Sequence, residues 1–534
     1  MPRANTTDLR ANTTHLMAQF DELKNQFTPQ AARRVQRLLD QLSRKSLDDI
    51  DSLVRYHEIL LFLRAYPQNA SLVRATEKEL RGFSNRVSAL REQDMDLSPL
   101  EDPEISGIAG ATVVDTFSFY IVRWLLQRHS SQVDIDWEWF EDENRLAETW
   151  PRFMPLLEED AFVEANVPYR EWLRAARGRS TELAWLFARL NKLPRPEQER
   201  SEIYNSQKLY VRWRPGFNAS RTGMRVATKT LFYHRGPLIQ RRDIDLSKGL
   251  VQPSPALQKL SPAQGEKAFD MAREASTIRY RELYNFTHGD PRHVYRAEVG
   301  RGVELFLMGL PAEKRLPLRA SHAAMIYKNG VPIGYFEGLS LFERMESGFN
   351  LYYTFRDGET AWLYARTLNV MHHFAGVTAF SLDPYQIGFE NEEGIESGAF
   401  WFYRKLGFRP VHKNVLQLTQ KEEQKIASRK GYRTPAATLR KLAQSPMIFE
   451  LNNERRGDWD RFQVRKIGYR AQRQKETGFA AVLSLIPDLK RWSGAEKKLL
   501  SRIVRAKAAA EETTYLKMMS QHERLRRAII ELGS

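Results

Sequence analysis

The stretch of this chain that most constrains its fold is residues 397–410, which read SGAFWFYRKLGFRP. Aromatic and apolar residues recur at helical spacing as far as Leu406, and Gly407 then ends the pattern. Phe408 follows at once and begins a new run. The sequence therefore predicts a helix over residues 394–406 that turns directly into a strand over residues 408–411.

The chain before this stretch alternates between strand and helix patterns. Asn329 and Gly330 mark a hairpin turn between two apolar runs. A helix is predicted over residues 360–374, and strands are predicted over residues 303–308, 322–327, 331–339, 349–355 and 377–382. This order predicts a mixed sheet that begins as an antiparallel hairpin and continues with parallel strands joined by crossover helices.

The same order of elements, together with Ala399, Phe402, Tyr403 and the turn at residues 405–408, resembles the GNAT superfamily of acyl-CoA N-acyltransferases over residues 281–413. The resemblance implies an α/β (α+β) GNAT-like mixed sheet, flanked by a large N-terminal helical region and a basic C-terminal helical region. It also implies acetyl-CoA or another acyl-CoA as co-substrate, no metal, and acyl transfer by direct attack of an amine on the thioester.

The resemblance further implies which residues contact the acyl-CoA. The strand-to-helix junction is expected to receive the pyrophosphate, because a helix N-terminus offers free N–H groups. In this chain Phe355 stands where the family carries Arg or Gln, and Glu396 stands where it often carries Asn. An alternative for Asp357 and Thr360 is helix capping. The residues expected at the co-substrate are Phe355, Arg356, Asp357, Gly358, Glu359, Thr360, Glu396 and Ala399.

Acid and base roles can be assigned in the same way. Tyr403 is expected to protonate the departing thiolate, the alternative being an ordinary core tyrosine among aromatic neighbours. Glu337 and Asp383 are the candidates for the base that takes the proton of the amine, directly or through water. Glu343 and Glu346 are further acidic residues in the connection before the next strand.

The length of 534 residues exceeds one ordinary core. Four regions are predicted: an N-terminal helical domain over residues 1–205, a basic and aromatic connecting segment with short strands over residues 206–261, the acyltransferase-like domain over residues 262–415, and a basic helical region over residues 416–534. In the connecting segment, basic residues alternate with Trp213, Phe217, Phe232 and Tyr233. These aromatic residues could stack nucleic-acid bases or anchor a sheet edge, and both interpretations stay open.

The net charge of +16 is concentrated at the C-terminal end, where residues 411–534 contain 27 Lys and Arg against 13 Asp and Glu. Such an excess indicates either an acidic partner, such as nucleic acid, anionic lipid or protein, or a solvated helical surface. Three functions follow: an N-acyltransferase whose amine acceptor is a small molecule, a protein or RNA; a degenerate GNAT-fold binding or scaffold protein; and a nucleic-acid-associated protein.

The chain has no cysteine, which excludes disulfides, thiolate metal sites and a cysteine nucleophile. His372 and His373 have no third ligand at metal spacing, so no metal is predicted. The apolar residues 108–127 contain Asp115 and Arg123, and they therefore predict a buried soluble helix and no transmembrane segment. The N-terminus lacks an apolar leader, and a cytoplasmic protein is expected.

Overall fold

The computed structural model describes residues 6–140, 143–149, 164, 166, 168–509 and 511–534. The chain forms two compact units. The N-terminal unit comprises Met1–Gly236 and Phe269–Thr287, and the C-terminal unit comprises Pro237–Ala268 and His288–Ser534. The four regions drawn from the sequence remain a prediction.

The N-terminal unit is mostly helical. Its small antiparallel sheet has β3 (Val211–Trp213) between β1 (Val113–Asp115) and β2 (Val133–Ile135). Trp213 is fully buried in this sheet, which makes it a sheet anchor and not a stacking platform. The helices are α1 (Thr6–Leu23), α2 (Pro29–Leu42), α3 (Ile50–Ala65), α4 (Ala70–Arg81), α5 (Phe83–Glu92), α6 (Phe119–Arg128), α7 (Glu143–Thr149), α8 (Tyr169–Ala176), α9 (Glu182–Asn191) and α10 (Glu197–Ser206).

Side-chain caps explain where several of these helices begin. The side chains of Thr28, Asp49 and Asn69 each accept a hydrogen bond from a backbone N–H of the first turn of α2, α3 and α4 respectively. Such a cap stabilises a helix by about 1 kcal/mol. On α2 the apolar residues at three- and four-residue spacing are buried, so this helix packs on the core through one face.

The apolar residues 108–127 do not form the single helix expected from the sequence. Helix α6 begins only at Phe119, after the N-cap Ser118, and strand β1 lies before it. The β-branched pair Val113–Val114 favours the strand over the helix. Among the described residues, no helix is long and apolar enough to cross a membrane.

The C-terminal unit is built on a sheet of nine strands within the described residues, in the order β11-β12-β10-β9-β8-β7-β6-β5-β4. Neighbouring strands are antiparallel except β9 and β10, which are parallel. The protein is therefore a mixed α/β structure with a large mixed sheet, as predicted at that level. The strands are β4 (Leu257–Lys259), β5 (Val294–Gly300), β6 (Val303–Met308), β7 (Ala320–Lys328), β8 (Val331–Leu341), β9 (Arg344–Leu351), β10 (Ala379–Leu382), β11 (Arg409–Pro410) and β12 (Met447–Glu450).

Helices cover this sheet and extend beyond it, and α12 crosses the boundary between the units at residue 268. They are α11 (Leu246–Leu250), α12 (Pro262–Thr277), α14 (Thr360–Ala375), α15 (Glu392–Glu396), α16 (Ala399–Arg404), α17 (Lys413–Ser428), α18 (Ala436–Leu442), α19 (Val464–Ala471), α20 (Gly478–Ser484), α21 (Gly494–Ala509), α22 (Glu512–Met519) and α23 (Glu523–Gly533). Helix α13 (Tyr284–His288) belongs to the N-terminal unit except for its last residue.

The hairpin turn predicted between β7 and β8 is present, with Asn329 and Gly330 at φ +49° and +81°. Two strands of the sheet, β5 and β12, were not predicted from the sequence, and β4 lies in the segment over residues 206–261 where short strands were expected without bounds. Strand β12 lies within the Lys/Arg-rich region, where its four residues carry too short a pattern to stand out. Strand β9 also begins and ends earlier than predicted, and a 3₁₀ turn follows it at Tyr353–Phe355.

The helix predicted over residues 394–406 is two short helices, α15 and α16. Gly398 separates them with φ +69°, a left-handed conformation that favours glycine. The break sets the direction of α16, whose Phe400 and Tyr403 are buried one turn apart. Trp401 points elsewhere and donates its indole N–H to the Thr434 hydroxyl at 3.1 Å.

Candidate functional site

Strands β9 and β10 separate along their length. They pair only where Arg344, Met345 and Glu346 face residues 379–381, and β9 then continues to Leu351 without β10 beside it. At the point of separation the Ser347 hydroxyl donates to the carbonyl of Ser381 at 3.4 Å. Strand β10 ends one residue later, at Leu382, which leaves a gap beside the second half of β9.

The separated half of β9 presents free backbone groups to this gap. Tyr352 N–H donates to the carbonyl of Ile333 at 2.9 Å, on the β8 side. Because backbone groups alternate direction along an antiparallel strand, the N–H and C=O of Phe349 and Leu351 face away from β8. The Leu351 carbonyl accepts from Arg356 Nε at 3.1 Å, which agrees with that direction. The Phe349 N–H faces the gap, where no strand pairs with it in the described residues.

A cleft of about 300 Å³ occupies the gap. One wall is the separated end of β9, and the other is formed by α15 and α16, including Ala399, Phe402 and Tyr403. Arg356 and Thr360 line it at the start of α14. The volume is at the lower end of the range for small-molecule sites.

Tyr403 lies in this cleft and is 4% exposed. Its hydroxyl has no hydrogen-bond partner among the described residues, although buried tyrosines usually have one. Burial raises the pKa of Tyr403 above its ordinary value, so the hydroxyl keeps its proton at neutral pH. A protonated hydroxyl in the lining of a cleft is suited to donate to a ligand atom.

Tyr364 provides a contrast only 5.4 Å away, measured between ring centroids. It is also fully buried, and burial raises its pKa as well. Its hydroxyl, however, hydrogen-bonds the Ser347 hydroxyl at 3.1 Å. Of these two neighbouring tyrosines, Tyr364 is satisfied within the protein and Tyr403 is not.

Glu337 lies one strand away from the cleft, on β8. It faces Gly348 of β9, and a Cβ on Gly348 would lie 3.9 Å from Glu337 Cβ and 3.7 Å from Gln386 Nε2. Gln386 lines the cleft. The missing side chain at Gly348 therefore leaves open space between the carboxylate and the cleft residue.

The Glu337 carboxylate has neither a hydrogen bond nor an ion pair with any described residue. Burial raises the pKa of this carboxyl above its ordinary value. A half-buried carboxylate without a counter-charge is a stronger base than an exposed one, which suits proton abstraction.

The other acidic candidates are occupied within the fold. Asp383 accepts from the backbone N–H of Tyr385 at 2.9 Å and caps the turn that follows β10. Glu343 accepts from the indole N–H of Trp459 at 2.8 Å and from Arg526. Of the predicted bases, only Glu337 lies beside the cleft with its carboxylate unengaged.

Some residues of the predicted pyrophosphate loop line the cleft, and others are buried in the core. Arg356 and Thr360 reach the cleft, but Arg356 also pairs with Glu393, which lines the same cleft. Thr360 donates its hydroxyl to the Arg356 carbonyl at 2.9 Å. The Gly358 N–H donates to the Phe355 carbonyl at 3.0 Å and is thereby used in a turn.

Glu359 is buried away from the cleft, at 1% exposure. Its carboxylate accepts from Arg301 Nε at 2.9 Å and from the Ile239 N–H at 3.1 Å, and it lies 3.6 Å from Lys328 Nζ. Burial lowers the pKa of Lys328 to about 7. The structure thus gives Glu359 the role of a buried counter-charge.

The remaining predicted residues differ in position. Ala399 begins α16 and lines the cleft, where its small side chain leaves room. Phe355 is buried at 1% exposure, while Asp357 and Glu396 are exposed. Helix α14 begins without a side-chain cap, so the N–H groups of its first turn stay available near Thr360.

Two carboxamides that line the cleft without a hydrogen-bond partner were not predicted from the sequence. Asn350 and Gln386 line the cleft, and neither side chain has a hydrogen-bond partner among the described residues. Asn350 falls inside the stretch predicted as strand, and Gln386 falls in a turn, so no residue pattern marked them.

Within the described residues, no cluster of three or more His, Asp or Glu side chains could hold a metal. The C-terminal charge is partly engaged: Lys507 pairs with Glu512, and Arg526 pairs with Glu343. An acidic partner for this region stays a prediction. Comparison of the chain with protein-family models, curated proteins and solved structures gives no match.

Proposed function

We propose that the protein is an acyl-CoA-dependent N-acyltransferase whose acyl-CoA binds in the cleft between β9 and β10. The observation that carries the proposal is the Tyr403 hydroxyl, which belongs to a buried side chain lining the cleft, keeps its proton at neutral pH and has no partner among the described residues. The resemblance of residues 281–413 to the GNAT superfamily supports the same assignment, as does the single parallel pair that separates at this point.

In the proposed reaction the amine lone pair adds to the thioester carbonyl carbon, and the carbonyl oxygen becomes an oxyanion. The Phe349 N–H, which faces the gap, stabilises that oxyanion. The C–S bond then breaks with its electron pair going to sulfur, and Tyr403 gives the sulfur a proton. The amine loses its proton to Glu337 through a water placed over Gly348.

In this proposal the pyrophosphate binds at the entrance of the cleft. The uncapped first turn of α14 offers backbone N–H groups, and Arg356 adds the one guanidinium that lines the cleft among the described residues. Phosphate competes with Glu393 for this guanidinium, so binding weakens where Glu393 holds it.

A non-catalytic binding or scaffold protein is the second candidate. The observation that favours it is the Arg356–Glu393 pair together with the engaged Gly358 N–H, since both reduce the capacity of the loop for phosphate. The two candidates differ in whether acyl-CoA is turned over.

The absence of cysteine provides a direct assay, because a thiol reagent then reports only free CoA. Acetyl-CoA is incubated with the full chain and a panel of primary amines, and thiol release is followed. Amine-dependent release that is lost in Tyr403→Phe and kept in Tyr364→Phe supports the proposal. Binding of acetyl-CoA without release by any amine favours the second candidate, and absence of both overturns the proposal.

A further inference from the structure

A second polar cleft, of about 770 Å³, lies wholly within the N-terminal unit. It is lined by the ends of α3 and α4, the residues after α6 and the loop that follows β3. None of these residues takes part in the proposed acyl transfer, so the cleft is independent of it.

The charge of this cleft is organised around one carboxylate. Buried Arg64 donates to both oxygens of Glu77, at 2.8 and 2.9 Å, and to the Thr222 carbonyl at 2.6 Å. Arg225 lies 3.2 Å from the same carboxylate with a side chain that is 53% exposed. Arg81 lines the cleft too and has no carboxylate partner among the described residues.

Positive charge therefore exceeds negative charge on this side of the cleft. Glu77 is held by Arg64, which leaves most donors of Arg225 and all those of Arg81 for a ligand. The other carboxylate lining the cleft, Glu274, faces His129 Nε2 at 3.3 Å. Planar guanidinium groups with spare donors suit phosphate oxygens.

An aromatic ring and a polar acceptor lie in the same cleft. Phe217 lines it with a ring that is 36% exposed and therefore open to a stacking partner. Its loop is fixed by close packing, because a Cβ on Gly223 would lie 2.1 Å from the Phe217 carbonyl oxygen. The carboxamide oxygen of Gln132 is buried in the cleft lining and accepts no hydrogen bond in the described structure.

We infer that this cleft binds a nucleotide, with the phosphate at Arg81 and Arg225 and the base stacked on Phe217. Gln132 accepts a hydrogen bond from an amino or hydroxyl group of the ligand. The same chemistry is presented by a free nucleotide and by a nucleotide of single-stranded RNA. Of the aromatic residues singled out in the sequence, Phe217 is the one that the structure places in this cleft.

Titrations of the full chain with AMP, inorganic phosphate and a short single-stranded RNA test the inference. Arg81→Ala is expected to raise the Kd for AMP about tenfold, the loss of a charge-assisted contact. Phe217→Ala is expected to raise the Kd for AMP about tenfold and to leave that for phosphate unchanged. Arg34→Ala is the matched control, because it removes an exposed guanidinium of the same unit that does not line the cleft.

Arg356→Ala separates this site from the acyl-CoA cleft, since CoA itself carries an adenine nucleotide. An unchanged Kd for AMP in Arg356→Ala supports the inference, whatever the outcome of the acyltransferase assay, because Arg356 lines only the acyl-CoA cleft. Competition between RNA and AMP supports one site for both ligands. If RNA binds and AMP does not, the ligand of the cleft is single-stranded RNA and not a free nucleotide. The inference is overturned if neither AMP nor RNA binds saturably, if Arg34→Ala raises the Kd for AMP as much as Arg81→Ala does, or if Arg356→Ala raises the Kd for AMP about tenfold while Arg81→Ala leaves it unchanged.

Discussion

The wall of the acyl-CoA cleft and the loop at its entrance differ in how their polar groups are used. In the loop over residues 355–360, Glu359 is neutralised by Arg301 and Lys328, and the Gly358 N–H closes a turn. At and beside the wall, the Tyr403 hydroxyl and the Glu337 carboxylate have no partner in the described structure. The polar groups of the loop are thus used within the fold, whereas the Tyr403 hydroxyl and the Glu337 carboxylate are left for a ligand.

The loop and the wall of the cleft therefore differ in how many of their predicted polar groups remain open to a ligand. The loop was selected because it joins a strand to a helix, and most of its predicted contacts are committed to the fold. Tyr403 is predicted as the proton donor from the family resemblance alone. Its unpartnered hydroxyl in the cleft lining is a separate physical reason for the same role.

The largest expected effect sharpens the contrast between the two tyrosines. Tyr403→Phe removes the proton donor to the departing sulfur, and we expect the rate of thiol release to fall about 10³-fold, equivalent to about 4 kcal/mol. In Tyr364→Phe the lost hydroxyl bonds only Ser347, and we expect a change within about threefold and a stability loss of about 1 kcal/mol. Equal losses in the two variants would contradict a special role for Tyr403.

The second largest expected effect is a loss of folding stability in the loop over residues 355–360. Glu359→Gln leaves Arg301 and Lys328 without their buried carboxylate, and we expect the free energy of unfolding to fall by about 3 kcal/mol in denaturant titrations. The mutation does not touch the cleft, so acetyl-CoA affinity of the folded variant should be unchanged. A large loss of acetyl-CoA affinity with an unchanged free energy of unfolding would indicate that Glu359 contacts the co-substrate.

Glu337→Gln removes the proposed base, and we expect thiol release to fall about 10²-fold, or about 2.7 kcal/mol. Its raised pKa means that the folded protein holds this proton more tightly than the unfolded chain. Ionisation therefore costs stability as the pH rises, and Glu337→Gln should be slightly more stable at neutral pH. A variant that loses activity only because it loses stability would contradict the role of base.

The pH profile of the unmodified protein tests the same group. The base acts when deprotonated, so kcat/KM should fall as the pH drops through a pKa above the ordinary glutamate value of about 4.3. Glu337→Gln should lack that limb of the profile. An unchanged acidic limb in Glu337→Gln would assign it to another group.

The smallest expected effect lies at the entrance. Arg356→Ala removes a guanidinium that Glu393 already engages, and we expect the Kd for acetyl-CoA to rise only about tenfold, or about 1.4 kcal/mol. Glu393→Gln should lower that Kd by freeing Arg356. No change in either variant would place the pyrophosphate elsewhere.

The sequence predicted the middle of the sheet because its strands are long and strongly patterned, as in β6, β7 and β8. It did not reveal β12, whose four residues pair with β10 and β11 from a distant part of the chain. It placed Gly398 inside a helix, since an isolated glycine is tolerated there, and the structure shows a break. Whether a side chain has a partner depends on long-range packing, and for that reason Asn350 and Gln386 were missed.

Calorimetric titration with acetyl-CoA tests the central claim most directly. The control is Ala399→Trp, because Ala399 lines the cleft and a tryptophan side chain at this position would fill it. We predict micromolar, saturable binding to the full chain, and its loss in folded Ala399→Trp. Absence of binding to the folded wild-type protein, or equal binding by Ala399→Trp, would contradict an acyl-CoA site between β9 and β10.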